Sequence, residues 1–177
     1  MAKSTGATTA KKKIKGWPRA ITWDEFKVVN SRPAGVKEDA QIHSETVPPQ
    51  SVTVVRKGGR FRLGPLTAEV RVVPENTWVV SGKKSKELLS HEQGHFDITG
   101  LTGRDMLRDL AAIRAPSVKV LQRRVRKTIQ QTQKLANELT TKYDDETKHG
   151  KDKTVQKKWK DHLRNCIKNG NRLSSGP

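Results

Sequence analysis

Residues 88–98 read LLSHEQGHFDI, and two histidines four apart, with a glutamate directly after the first, govern how the rest of the chain is read. On a helix, positions four apart fall about 40° from each other, one turn up the same face. His91 and His95 can therefore present imidazoles to one ion, as two of zinc's tetrahedral ligands. Glu92 lies beside the pair and can reach a metal-activated water without ligating the metal. Zinc draws that water's pKa toward neutrality, and Glu92 as general base takes the proton during attack on a carbonyl. The competing reading is the polar stripe of an ordinary solvent-facing helix. Leu88, Leu89, Phe96, Ile98, Leu101, Leu107 and Leu110 argue against it, because they give the helix apolar surface over much of its circumference. Two histidines and a glutamate buried together without a metal would be costly. Gly94, which costs a helix roughly 1 kcal/mol relative to alanine, leaves room for another segment or a substrate to come close.

The third ligand is not on this helix. Ile98 and Leu101 stand where a longer histidine motif would need Gly and His. Asp97 lies about 200° around the helix from His95 and points away from the metal. It shares a face with Arg104, and a structural or second-shell role suits both. Asp105 returns to the ligand face but is about 15 Å along the axis. The best donor region is TKYDDETKHG, residues 141–150, where the second helix ends. His149 is the expected third ligand, because neutral imidazole is zinc's commonest nitrogen donor, with Asp144, Asp145 and Glu146 as the alternatives in the same stretch. Tyr143 can donate a hydrogen bond to the developing oxyanion. His43 and His162 read as structural or exposed.

Outward from this motif the chain divides by periodicity. Residues 1–16, MAKSTGATTAKKKIKG, read as a disordered basic tail with no apolar segment of a signal peptide. ITWDEF (21–26) reads as a short strand or turn, and SRPAGVKEDA (31–40) as a loop. SVTVVRK and RFRL flank Gly58-Gly59, which favours a two-residue hairpin turn. TAEVRVV alternates as a half-buried strand should, Pro74 closes it, and NTWVVSG supplies one more strand. The expectation is a small antiparallel sheet of three to five strands. From Ser85, a helix cap, the period becomes helical, to about Ile113 and the Ala115-Pro116 break. A second helix carries Leu121, Val125, Leu135 and Leu139 on one stripe. A third, from about Asp152 to Lys168, carries Trp159, Leu163 and Cys166. Residues 17–168 thus read as one α+β domain, with 169–177 as a second disordered tail.

Lys and Arg outnumber Asp and Glu by 36 to 18, a formal charge of +18, which suits an anionic surface or an acidic partner. No nucleic-acid-binding motif is present, and few aromatic residues are available for stacking on bases. One cysteine excludes an intramolecular disulfide and a cysteine zinc cluster. No stretch approaches the roughly 18 apolar residues of a membrane span.

HEQGHFDI followed by Arg104, and YDDETKHG followed by Gln156 and Trp159, resemble a bacterial family of proposed secreted zinc-dependent proteases. ITWDEFK and NTWVV are similar to its N-terminal region, so the resemblance covers roughly residues 20 to 165. It implies a zincin-like fold, with His91 and His95 as zinc ligands and Glu92 as catalytic base. Tyr143, Asp144, Thr147, His149 and Gly150 match its second block, and Asp144 is expected to orient a ligand by hydrogen bonding without itself binding the metal. It also implies a secreted or periplasmic protein, whereas an N-terminus without a signal leaves the cytoplasm open. The chain departs from the family in ITGLTGR, where glycines stand in place of bulkier helix formers. The expected function is a zinc metallopeptidase acting on a protein or peptide that pairs with an exposed edge of the NTWVV strand. The alternative is a non-enzymatic basic module that binds nucleic acid or cell envelope and holds a structural zinc.

Overall fold

The computed structural model describes residues 14–48 and 51–177. Side-chain caps set where its three helices begin. Ser85 accepts the Leu88 N–H to open α1 (Lys86–Ala112), and Ser117 accepts the Val120 N–H to open α2 (Val118–Thr147). Asp152 accepts the Val155 N–H to open α3 (Lys153–Asn169). Each cap satisfies an amide that the first helical turn would otherwise leave unpaired. Pro116 lies between α1 and α2, which return past each other as an antiparallel hairpin of helices.

Among the described residues, seven short strands precede the helices: β1 (Lys27–Val29), β2 (Ala40–Gln41), β3 (Ser44–Val47), β4 (Val54–Lys57), β5 (Arg60–Leu63), β6 (Glu69–Val72) and β7 (Trp78–Val80). The arrangement is α+β, with small sheets in the N-terminal half followed by three helices. In place of one sheet there are three: β1-β7-β2, β3-β6 and β4-β5. The 3-10 turn Pro74–Asn76 redirects the chain after β6, so β7 joins different partners. The β4-β5 hairpin turns on Gly58 and Gly59 as expected, both at positive φ.

NTWVV does not offer a free edge, because β7 is the middle strand, parallel to β1 on one side and antiparallel to β2 on the other. All three of its residues are buried. Its run of consecutive apolar residues marks a strand covered on both faces, not a docking edge.

The helix α1 runs through the centre of the molecule, with Phe96, Ile98 and Leu101 fully buried. Its glycines are contact points. A Cβ on Gly100 would lie 2.3 Å from the Trp17 ring, and one on Gly103 would lie 2.3 Å from Thr46 Oγ1. The sequence ITGLTGR thus lets the N-terminal segment and β3 pack directly on the helix backbone.

Residues 14–16 and 169–177 do not behave as their composition suggests. Residues 1–13 lie outside the described residues, but Ile14 is buried and Lys15 exchanges backbone hydrogen bonds with Ala68 and Val70 beside β6. The ordered domain therefore starts before Trp17. Residues 169–177, expected as a disordered tail, are docked on α1. The Leu173 side chain is buried, and its N–H donates to Asp105 Oδ2 at 2.8 Å. Arg104 donates to the carbonyls of Cys166 and Asn171, and Arg108 to that of Gly170. Charged side chains of α1 satisfy the segment's backbone, so a polar composition does not keep it free. No helix among the described residues is long and apolar enough to cross a membrane.

Candidate metal centre

The helical hairpin brings the last turn of α2 against the first turns of α1. Asp144 Oδ1 lies 3.1 Å from His91 Nε2 and 2.9 Å from His95 Nε2, and the two nitrogens are 3.2 Å apart. Three donor atoms thus form a triangle, the one group of histidine and acidic side chains among the described residues arranged to hold a metal ion. A tetrahedral ion with bonds of about 2.0–2.1 Å separates its ligands by roughly 3.3 Å. The triangle matches that spacing to within a few tenths of an ångström.

The surrounding hydrogen bonds set the protonation that an ion requires. The Tyr143 hydroxyl donates to the His91 carbonyl at 3.0 Å, so its oxygen is free to accept from Gln156 Nε2 at 2.5 Å. That turns Gln156 Oε1 toward His91 Nδ1, 3.2 Å away. Nδ1 then keeps a proton, and Nε2 is the ring atom turned into the triangle, toward Asp144 or an ion. The Tyr143 ring stacks on His91 with centroids 4.8 Å apart and planes 14° from parallel. A Cβ on Gly94 would sit 2.2 Å from the Tyr143 oxygen, which explains the glycine inside the histidine motif. The residues present fit a small divalent ion.

Charge follows the same geometry. Burial pushes the Asp144 carboxyl up, but the hydrogen bonds and charges of His91 and His95 outweigh it and hold Asp144 well below the usual carboxylate range. Burial works against the charged form of His95, yet Asp144 and Glu92 raise its affinity for a proton on balance. Glu92 is 2% exposed, and burial drives its pKa up against the opposing charges of His95 and His91. Its Oε2 accepts the Ile42 N–H at 2.8 Å, and its other oxygen has no hydrogen-bond partner among the described residues. Glu92, both histidines, Asp144 and His149 line one cleft of about 560 Å³. A second groove, of about 740 Å³, runs between β3 and α2 along α1 and shares Ile42, His43, His95 and Thr140 with the first.

The other expected site residues take varied positions. His149 is outside the donor triangle: its Nδ1 faces Glu38 Oε1 at 3.3 Å and stands 3.6 Å from Asp144 Oδ1, on the cleft rim. Tyr143 is fully buried behind His91, with its hydroxyl committed as described. Asp97 points away from the triangle, as its helical phase requires, and accepts from Trp17 Nε1 and Gln93 Nε2. Burial raises its pKa to about 6. Arg104 is buried, reaches the C-terminal segment, and lies over the Trp17 ring.

The second motif is built as a helix end. Thr147 Oγ1 donates to the Tyr143 carbonyl and accepts the Gly150 N–H, and the Asp144 carbonyl accepts the His149 N–H. Lys148 and His149 occupy left-handed backbone at φ 52° and 53°, a conformation that costs non-glycine residues free energy and often marks functional sites. Gly150 at φ 78° follows, and a Cβ there would press on His91. Sequence reasoning missed Ile42, whose contribution is a backbone N–H with no side-chain signature. It also assigned no task to Gln156.

No curated protein and no solved structure matches the chain. Residues 74–150, from the turn before β7 to the glycine against His91, match a family described as bacterial protein of unknown function (DUF922), a description that names no activity.

Proposed function

We propose that this chain is a zinc-dependent peptidase whose metal is held by His91, His95 and Asp144 and whose general base is Glu92. The carrying observation is the convergence of those three donors at 2.9–3.2 Å beside a buried carboxylate in the same cleft. Two imidazoles and a carboxylate are a donor set that zinc favours, and three protein donors leave a position open, where a structural site would be closed by four. Zinc, when bound, supplies Lewis acidity toward a carbonyl and brings water close to ionisation at neutral pH.

The chain's own residues do the rest. The Ile42 N–H fixes one oxygen of Glu92, and the other accepts the proton of the attacking water. Burial, which raises the affinity of Glu92 for that proton, suits it to carry the proton to the leaving amine. Gln156 and Tyr143 hold His91 in one tautomer. In this reading His149, half exposed on the rim, donates an N–H to the carbonyl oxygen as charge develops there. An extended peptide would lie in the groove beside β3, which pairs only with β6 among the described residues.

The test pairs metal content with cleavage of casein or a quenched fluorescent peptide library. Glu92→Gln should keep zinc and lower the rate by roughly 10²–10⁴-fold; undiminished cleavage would refute the assignment. Asp144→Ala should lose the metal and His149→Ala should retain it. The reverse pattern would make His149 the ligand.

A further inference from the structure

The far end of the molecule concentrates charge in a way the metal centre does not need. Two stretches of sequence carry no Asp or Glu at all, residues 46–68 and 110–137. The first includes Arg56, Lys57, Arg60 and Arg62 on the β4-β5 hairpin. The second begins with Arg114, Lys119, Arg123, Arg124, Arg126 and Lys127 around the start of α2. The fold joins them. Phe61 of β5 and Ala115, between α1 and α2, exchange both backbone hydrogen bonds, at 2.7 and 2.9 Å. None of these ten cations forms an ion pair among the described residues, and nearby Asp109 is already paired with Arg172. Self-repulsion on this scale costs stability, so an anionic surface is its natural complement.

The exposed apolar residues select which kind of surface. Of the five large hydrophobic side chains exposed among the described residues, Val52, Val54, Val118 and Ile129 lie in these same two stretches. No Phe, Trp or Tyr among the described residues is exposed, so no platform is offered for stacking bases. Cations interspersed with exposed aliphatic side chains match the interface of a bilayer, where headgroups meet the first methylenes. We propose that the β4-β5 hairpin and the first turns of α2 form a docking surface for a bilayer rich in anionic phospholipid. At 1.5 Å per residue, His95 lies about 25 Å along α1 from this end. A docked molecule keeps its metal cleft away from the lipid.

The experiment is co-sedimentation of the full chain with phosphatidylglycerol–phosphatidylcholine vesicles and with phosphatidylcholine vesicles alone, at low and raised salt, with a short DNA duplex as competitor. Expected is binding to the anionic vesicles only, weakened by salt. Replacing Arg56 and Arg60 together by Gln should lower partitioning roughly tenfold or more. The pair Arg123→Gln and Arg126→Gln on exposed helix gives an independent second variant. Val54→Ser, which leaves charge untouched, should also weaken vesicle binding. Absence of binding to anionic vesicles, equal binding to both vesicle types, or no effect of either arginine pair would overturn the proposal. So would duplex displacing the vesicles while Val54→Ser binds like wild type, which would assign the surface to nucleic acid.

Discussion

From His91 to Asp97, every position is committed. His91 and His95 turn nitrogens to Asp144, Glu92 takes the Ile42 N–H, and Gln93 accepts from Ile21 while donating to the Arg19 carbonyl. Phe96 fills the core, and Asp97 accepts the Trp17 indole N–H. Gly94 gives the sharpest single-residue prediction. Alanine is ordinarily worth about 1 kcal/mol over glycine in a helix. Here its methyl would collide with the Tyr143 oxygen, so Gly94→Ala should destabilise the protein by about 1–3 kcal/mol in urea unfolding. Gln156→Ala removes the partner of His91 Nδ1 without touching a donor atom. It should weaken zinc affinity about 10–100-fold in competition with a chelator while leaving the fold intact. The spacing of His91, Glu92 and His95 was legible because helix geometry alone places them. Asp144 was legible only as one alternative to His149, because the sequence does not fix where in residues 141–150 the second helix ends, and an imidazole is the preferred nitrogen donor. The second helix in fact continues to Thr147. Helical phase therefore fixes Asp144 toward α1, and the left-handed turn carries His149 to the rim.

Among the elements, the helices were the readable part, since Ser85, Pro116 and Asp152 punctuate them and their apolar stripes are long. Strands β4 to β7 were read as strands but not as separate sheets, and β1 to β3, of two to four residues, were not singled out, because pairing depends on partners distant in sequence. Lys27 and Trp78, for example, are neighbours in β1 and β7. The C-terminal segment was the least legible element. NGNRLSSGP offers one apolar side chain, Leu173, and its docking rests on backbone groups that leave no compositional trace. Leu173→Ala should cost about 2–5 kcal/mol, as for other buried leucines, measured by chemical denaturation. A free tail would show no change.

For the whole molecule, the donor triangle ties α1 to the end of α2, so an ion bound there would be linked to stability. A ligand that binds only the folded state at about 100 times its dissociation constant adds roughly 2.7 kcal/mol. Zinc should accordingly raise the thermal midpoint, a chelator should lower it, and Asp144→Ala should abolish the difference, as read by calorimetry. The parts of the site also differ in when they can form. All three donor atoms belong to one continuous hairpin of helices, residues 86 to 147. Helical hairpins, rich in local contacts, assemble faster than sheets whose strands are far apart in sequence. Glu92, in contrast, receives its anchoring N–H from Ile42, 50 residues upstream. On the proposed reading, the three donors can converge before the Ile42 N–H reaches Glu92, so the helical hairpin would take up an ion while Glu92 is still unanchored.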